Sequence, residues 1–95
     1  MLKAIIIDDE LKGRIALRQK IADYCPDVDV VGEAASGEEG IATIRRLEPQ
    51  VVFLDIEMPG MGGFEMLSAL EQKNFHLIFT TAYDQYALKA FRFSA

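Results

Sequence analysis

Leu2-Lys3-Ala4-Ile5-Ile6-Ile7-Asp8-Asp9 opens the chain with a short, β-branched, almost continuous apolar run that stops at two acids. Such a run suits a strand buried on both faces of a parallel sheet. Val51-Val52-Phe53-Leu54-Asp55 repeats the pattern further along, again ending at an acid. These are the two most continuously apolar strands, so they are expected at the centre of the sheet and side by side.

Outward from these strands the pattern alternates. From Glu10 to Tyr24 the spacing is helical, with Leu17, Ile21 and Tyr24 on one stripe and Leu11 and Ile15 beside it. Lys12, Arg14, Arg18 and Lys20 are left for water, and Pro26 marks the exit. Val28 to Gly32 alternates, with Asp29 interrupting the valines, and reads as a strand nearer an edge. Ser36-Gly37-Glu38-Glu39 is a capping box, the Ser hydroxyl and Glu carboxylate each satisfying a backbone donor at a helix start. That helix carries Ile41, Ile44 and Leu47 and must stop before Pro49. Pro59, Gly60, Gly62 and Gly63 make a turn. Phe64, Leu67 and Leu70 then line a third helix that ends near Asn74. Leu77 to Phe79 is a fourth strand leading to Thr80 and Thr81, and Asp84 caps a fourth helix with Ala87, Leu88 and Phe91 facing inward. Four strand-then-helix units in strict alternation imply an α/β fold with a parallel sheet and right-handed crossovers. With the alternating strand placed outside the first, the strand order is 2-1-3-4.

Composition narrows the function classes. The 95 residues fit one domain, about half hydrophobic and a quarter charged, as in ordinary globular proteins. A net charge of −5 without any Lys/Arg cluster argues against direct nucleic-acid binding. One cysteine, Cys25, cannot form an intrachain disulfide, and the apolar runs are too short for a membrane span. No signal peptide is visible at the N-terminus, so the cytoplasm is the expected compartment. His76, the single histidine, reads as a solvated loop residue rather than a catalytic one.

In open parallel sheets ligands bind beyond the carboxyl ends of the strands, where strand order reverses. Between strands 1 and 3 that point gathers Asp8, Asp9 and Asp55, with Thr81 arriving from strand 4. Three carboxylates at close range repel one another and raise at least one pKa unless a cation neutralises them. A few oxygen ligands with an open side favour magnesium over zinc or calcium. Such a site leaves one carboxylate free to act as a nucleophile toward phosphorus. The glycines at 60, 62 and 63 lack a following Lys-Ser or Lys-Thr, so they read as a turn rather than a nucleotide loop.

The segments Ile7-Asp8-Asp9-Glu10, Phe53-Leu54-Asp55-Ile56-Glu57-Met58-Pro59-Gly60-Met61-Gly62-Gly63 and Phe79-Thr80-Thr81-Ala82-Tyr83 resemble the three motif regions of two-component response-regulator receiver domains. The resemblance spans the whole chain, residues 1–95, and implies a flavodoxin-like three-layer sandwich. The stretch from Thr81 to Ala87, with Phe91, is most similar to receivers of the LytR/AlgR transcription-factor branch, in which a separate DNA-binding domain follows. Carried over by position, the resemblance makes Asp55 the phosphoacceptor, Asp8 and Asp9 the acidic pair for Mg2+, Glu57 a metal ligand through its backbone carbonyl, and Thr81 the switch hydroxyl that follows the phosphoryl group. The donor would be a sensor histidine kinase. Tyr83 and residues 84–91 would form the output surface. The domain would be no enzyme beyond promoting its own phosphorylation and dephosphorylation.

Receivers of this family continue into a fifth strand, a lysine at its end, and a fifth helix. None of the lysines here matches that one: Lys89 falls in the fourth helix, Lys12 and Lys20 in the first. The expectation is therefore a receiver that is incomplete at its C-terminal end, with an open fourth strand that invites a homodimer or domain-swapped dimer. Two other function classes fit less well. A pseudo-receiver would serve only as an interaction module and would leave the acids unused. An aspartyl-phosphate phosphohydrolase would want a second acid two residues after its nucleophile, on the first strand, and a cap domain.

Overall fold

The structure is a computed structural model and describes residues 1–71 and 73–80. Strand β1 (Leu2–Ile7) leads to helix α1 (Leu11–Tyr24), β2 (Val28–Ala34), α2 (Gly37–Leu47), β3 (Val51–Leu54), α3 (Gly63–Ala69) and β4 (His76–Phe79). All pairings are parallel and the sheet runs β2-β1-β3-β4, the expected order. The fourth helix read from Asp84, with Ala87, Leu88 and Phe91, lies outside the described residues, as does Thr81.

The continuous apolar runs are central because both their faces are covered. Ile5, Ile7, Val52 and Leu54 pack on one side with Ile44 of α2 and Met66 and Leu67 of α3. Ala4, Ile6, Val51 and Phe53 pack on the other side with Ile21 of α1. Helices on both faces of the sheet give the three layers. β1 and β3 end level, Ile7 opposite Leu54, so the acids that follow them emerge side by side.

Helix α2 starts as expected, the Ser36 hydroxyl accepting from Glu39 N at 3.1 Å, one of the two bonds of the predicted box. It ends at Glu48, whose left-handed backbone (φ 46°) turns the chain into Pro49. β2 runs two residues beyond the expected Gly32. Its register against β1 shifts between Ala4 and Ile5, so that Ala4 pairs with Val30 and Ile5 with Gly32. Val31 is thereby bulged, and every later side chain of β2 changes face.

Three expectations are corrected. The apolar stripe of α1 is narrower than its spacing implied: Ile21 is buried and Leu17 half-buried, but Leu11 and Ile15 are 60% exposed and Tyr24 81%. Among the described residues the apolar surface under α1 is short, formed by Ala4, Ile6, Val51 and Phe53 with Val28 and Val30 beside them, and Leu17 and Ile21 cover it. Helix α3 stops at Ala69 instead of near Asn74, because Leu70 adopts an extended backbone (φ −84°, ψ 130°) and drops its side chain into the core. His76 opens β4 rather than standing in a loop, its N–H donating to Gln50 O at 2.8 Å, and its side chain is exposed.

Candidate functional site

Asp8 and Asp55 each follow the last residue of a central strand and continue its ladder by one bond. Asp8 N donates to Ala34 O at 3.0 Å, and Asp55 N to Ile7 O at 2.9 Å. Each carboxylate then folds onto the backbone two residues ahead. Asp8 Oδ1 accepts from Glu10 N at 2.9 Å and Asp55 Oδ1 from Glu57 N at 3.2 Å. This local turn is what short Asp side chains do when a chain leaves a strand. At Asp8 it holds the N–H of Glu10, the N-cap residue just ahead of α1, whose own side chain makes no capping bond.

One carboxylate oxygen from each of Asp8, Asp9 and Asp55 lies within 4.8 Å of the other two. Asp9 Oδ1 is buried and has no hydrogen-bond partner. An ionised oxygen left buried without a donor is costly, and a cation is the natural remedy. Asp55 reports the same deficit, its pKa pushed up from 3.8 to about 6. Burial is the largest cause; the Asp8 and Asp9 charges and a hydrogen bond with Asp8 add to it, against the lowering effect of the Glu57 N–H. Oxygen-only donors on a partly open edge fit a small hard divalent ion such as magnesium.

Close packing holds the cluster in place. A Cβ at Gly63 would stand 2.9 Å from both Asp55 O and Ile56 Cα, so only glycine lets the start of α3 rest on the Asp55 backbone. A Cβ at Gly13 would overlap Asp8 Oδ2, so the first turn of α1 leaves that oxygen its space. A cavity of about 440 Å3 lies at the other end of the sheet, lined by Ile44, Glu48, Pro49, Leu70 and Phe75, remote from the carboxylates.

Asp8, Asp9 and Asp55 therefore meet as expected. Glu57 stands beside Asp55 through its N–H. Thr81 lies outside the described residues, although the preceding Thr80 N donates to Leu54 O at 3.0 Å and so brings the chain alongside Asp55. Sequence reasoning missed Arg14, which it left for water. Its side chain is 15% exposed, with Nη1 donating to Asp8 O at 2.7 Å and Nε to Glu33 Oε1 at 3.1 Å. The available signal was Arg14 and Arg18 at helical i, i+4 spacing, which marks one face of α1 but names no partner.

Residues 4–95 match the family model described as the response regulator receiver domain. An uncharacterised response regulatory protein of Vibrio cholerae is 45% identical over 96 residues, covering all of this chain and 40% of the relative. The transcriptional regulatory protein BtsR of Escherichia coli is 41% identical over 92 residues, covering 96% of this chain and 38% of BtsR. Among solved structures, the REC domain of AraT, a response regulator from Geobacillus stearothermophilus, superposes with a TM-score of 0.82 at 34% identity, covering 97% of this chain and 74% of that one. The chain thus spans about two fifths of the length of the curated relatives it matches.

Proposed function

The chain belongs to the response-regulator receiver family, and on that premise we propose that Asp55 accepts a phosphoryl group from a sensor histidine kinase in a magnesium-dependent reaction. The observation that carries this reading is the meeting of three carboxylates within 4.8 Å at the β1/β3 edge, one of them with a buried oxygen lacking any partner. Asp8 and Asp9 hold the ion, with Asp55 and the Glu57 carbonyl completing its protein ligands. When bound, magnesium would supply positive charge that offsets the crowded carboxylates and the charge on the transferring phosphoryl oxygens.

The protein's own part is positional. The Glu57 N–H donates to Asp55 Oδ1 and so fixes the carboxylate at the strand end from which it attacks. A new O–P bond forms as the P–N bond to the donor histidine breaks, and the electron pair leaves with the imidazole, which then takes a proton. Thr81, next along the chain from Thr80, follows the phosphoryl group with its hydroxyl and passes its arrival to residues 84–91. The Thr80 bond to Leu54 supports that placement.

The Thr81 to Ala87 stretch supports assignment to the LytR/AlgR branch, acting in the cytoplasm, with output through a LytR-type DNA-binding domain in the full-length protein. Relatives such as BtsR, a transcriptional regulatory protein longer than this chain, support that output. No helix among the described residues is long and apolar enough to cross a membrane.

Incubation with magnesium and acetyl phosphate tests the reading by intact mass. One added phosphoryl group is expected on the wild-type chain, with none on Asp55→Asn and none when magnesium is chelated. No adduct at any donor concentration favours an interaction module instead. Continuous turnover of phosphomonoesters favours a hydrolase.

A further inference from the structure

We propose that Arg14 is a positioning residue for the acid cluster, gripping the Asp8 main chain so that the Asp8 and Asp9 carboxylates stay aimed at one cation. The inference rests on the reading of that cluster as the metal site. Arg14 Nη1 donates to Asp8 O at 2.7 Å, while Asp8 N donates to Ala34 O at 3.0 Å. Both polar groups of the Asp8 main chain are thereby fixed, one by α1 and one by β2. The carbonyl belongs to the peptide plane that joins Asp8 to Asp9. Fixing that plane fixes the direction in which Asp9 leaves the backbone, and Asp9 carries the buried oxygen that lacks a partner.

Glu33 holds Arg14 in turn. Its Oε1 accepts from Arg14 Nε at 3.1 Å, and its Oε2 takes Arg18 Nε at 2.8 Å and Arg18 Nη2 at 2.6 Å. The bulge at Val31 makes this possible. It pairs Glu33 with Ile6, whose side chain is on the α1 face; without it Glu33 would point to the α2 side.

Charge sharpens the case. A lone guanidinium beside a cation site repels the cation, so an electrostatic role alone would make Arg14 a handicap. Glu33 offsets part of that charge, its one carboxylate being shared by Arg14 and Arg18, and what Arg14 contributes beyond charge is a planar fork with two fixed directions. Outer-shell partners that orient metal ligands commonly change metal affinity about 10–100-fold when removed.

Magnesium affinity of the whole chain, read by calorimetric titration with circular dichroism to confirm folding, tests the inference through the sign of the effect. Arg14→Gln is expected to weaken binding about ten-fold. Arg14→Lys keeps the charge but not the fork, and is expected to fall between that variant and wild type. Arg18→Gln removes the same charge without touching Asp8 and is expected to bind as wild type or slightly tighter. If both Arg14 variants bind as tightly as wild type or tighter, or if Arg18→Gln weakens binding as much as Arg14→Gln, Arg14 is not a positioning residue. Should wild type itself bind no magnesium, the metal-site reading fails and this inference falls with it.

Discussion

The Asp55 carboxyl keeps its proton to about pH 6 because burial disfavours its charged form, with the neighbouring Asp8 and Asp9 charges adding to that effect. In the unfolded chain the same group ionises near its ordinary 3.8. Between those values the folded state binds more protons than the unfolded one, so this group's contribution to stability falls as pH rises through the window and is level above it. Asp55→Asn cannot ionise. Without magnesium its stability relative to wild type is expected to be smallest near pH 4, to grow up to about pH 6.5 and then to hold constant, as measured by urea unfolding across pH. A difference that does not vary with pH would contradict the burial of this carboxyl. The three acids were legible in the sequence because each stands at or just beyond a strand end, where a parallel sheet binds its ligands. The orphaned Asp9 oxygen and the Arg14 grip were not. Both depend on where a side chain meets a distant backbone group, and spacing along one helix carries no such information.

At the scale of elements, the strands were the most legible part. Ile5-Ile6-Ile7 and Val51 to Leu54 are apolar at every position, and only a strand covered on both faces accommodates that. Helices were less so, because periodicity shows which residues could be buried but not how much surface awaits them. Leu11 and Ile15 lie on the predicted flank of α1 and remain largely exposed, while Arg14 of the same helix is drawn in by Glu33. The β2 bulge was not read, although the doubled Val30-Val31 breaks the alternation of Val28-Asp29-Val30 where the bulge sits, because a doubled valine alone does not say which residue leaves the ladder. Helix α2 offers a test of local chemistry. Its C-cap, Glu48, adopts φ 46°, a conformation that glycine enters freely and other residues do not, and places an acid at the negative end of the helix. Glu48→Gly relieves both, and a gain of about 0.5–1 kcal/mol in urea unfolding is expected. A loss of stability would mean that the Glu48 side chain makes a contribution larger than the backbone cost.

At the scale of the whole molecule, the acid cluster exists only when β1 and β3 lie side by side. Asp8 and Asp55 are far apart in the chain, and the unfolded state offers a cation no such site. Magnesium should therefore stabilise the fold by mass action, reaching about 2.7 kcal/mol at a hundred times its dissociation constant and growing with the logarithm of its concentration. The net charge of −5 provides a competing cause, because any salt relieves self-repulsion in an acidic protein. The two causes separate cleanly. Screening follows ionic strength whatever the ion and changes little on losing one acid, whereas site binding needs the divalent ion and all three carboxylates. Thermal melts in magnesium chloride are expected to rise well above those in sodium chloride of equal ionic strength, and Asp9→Asn to lose most of that difference. Matching curves in the two salts would leave the cluster as three crowded acids with no ion to hold, and the raised pKa of Asp55 would then be a cost that the fold carries without return.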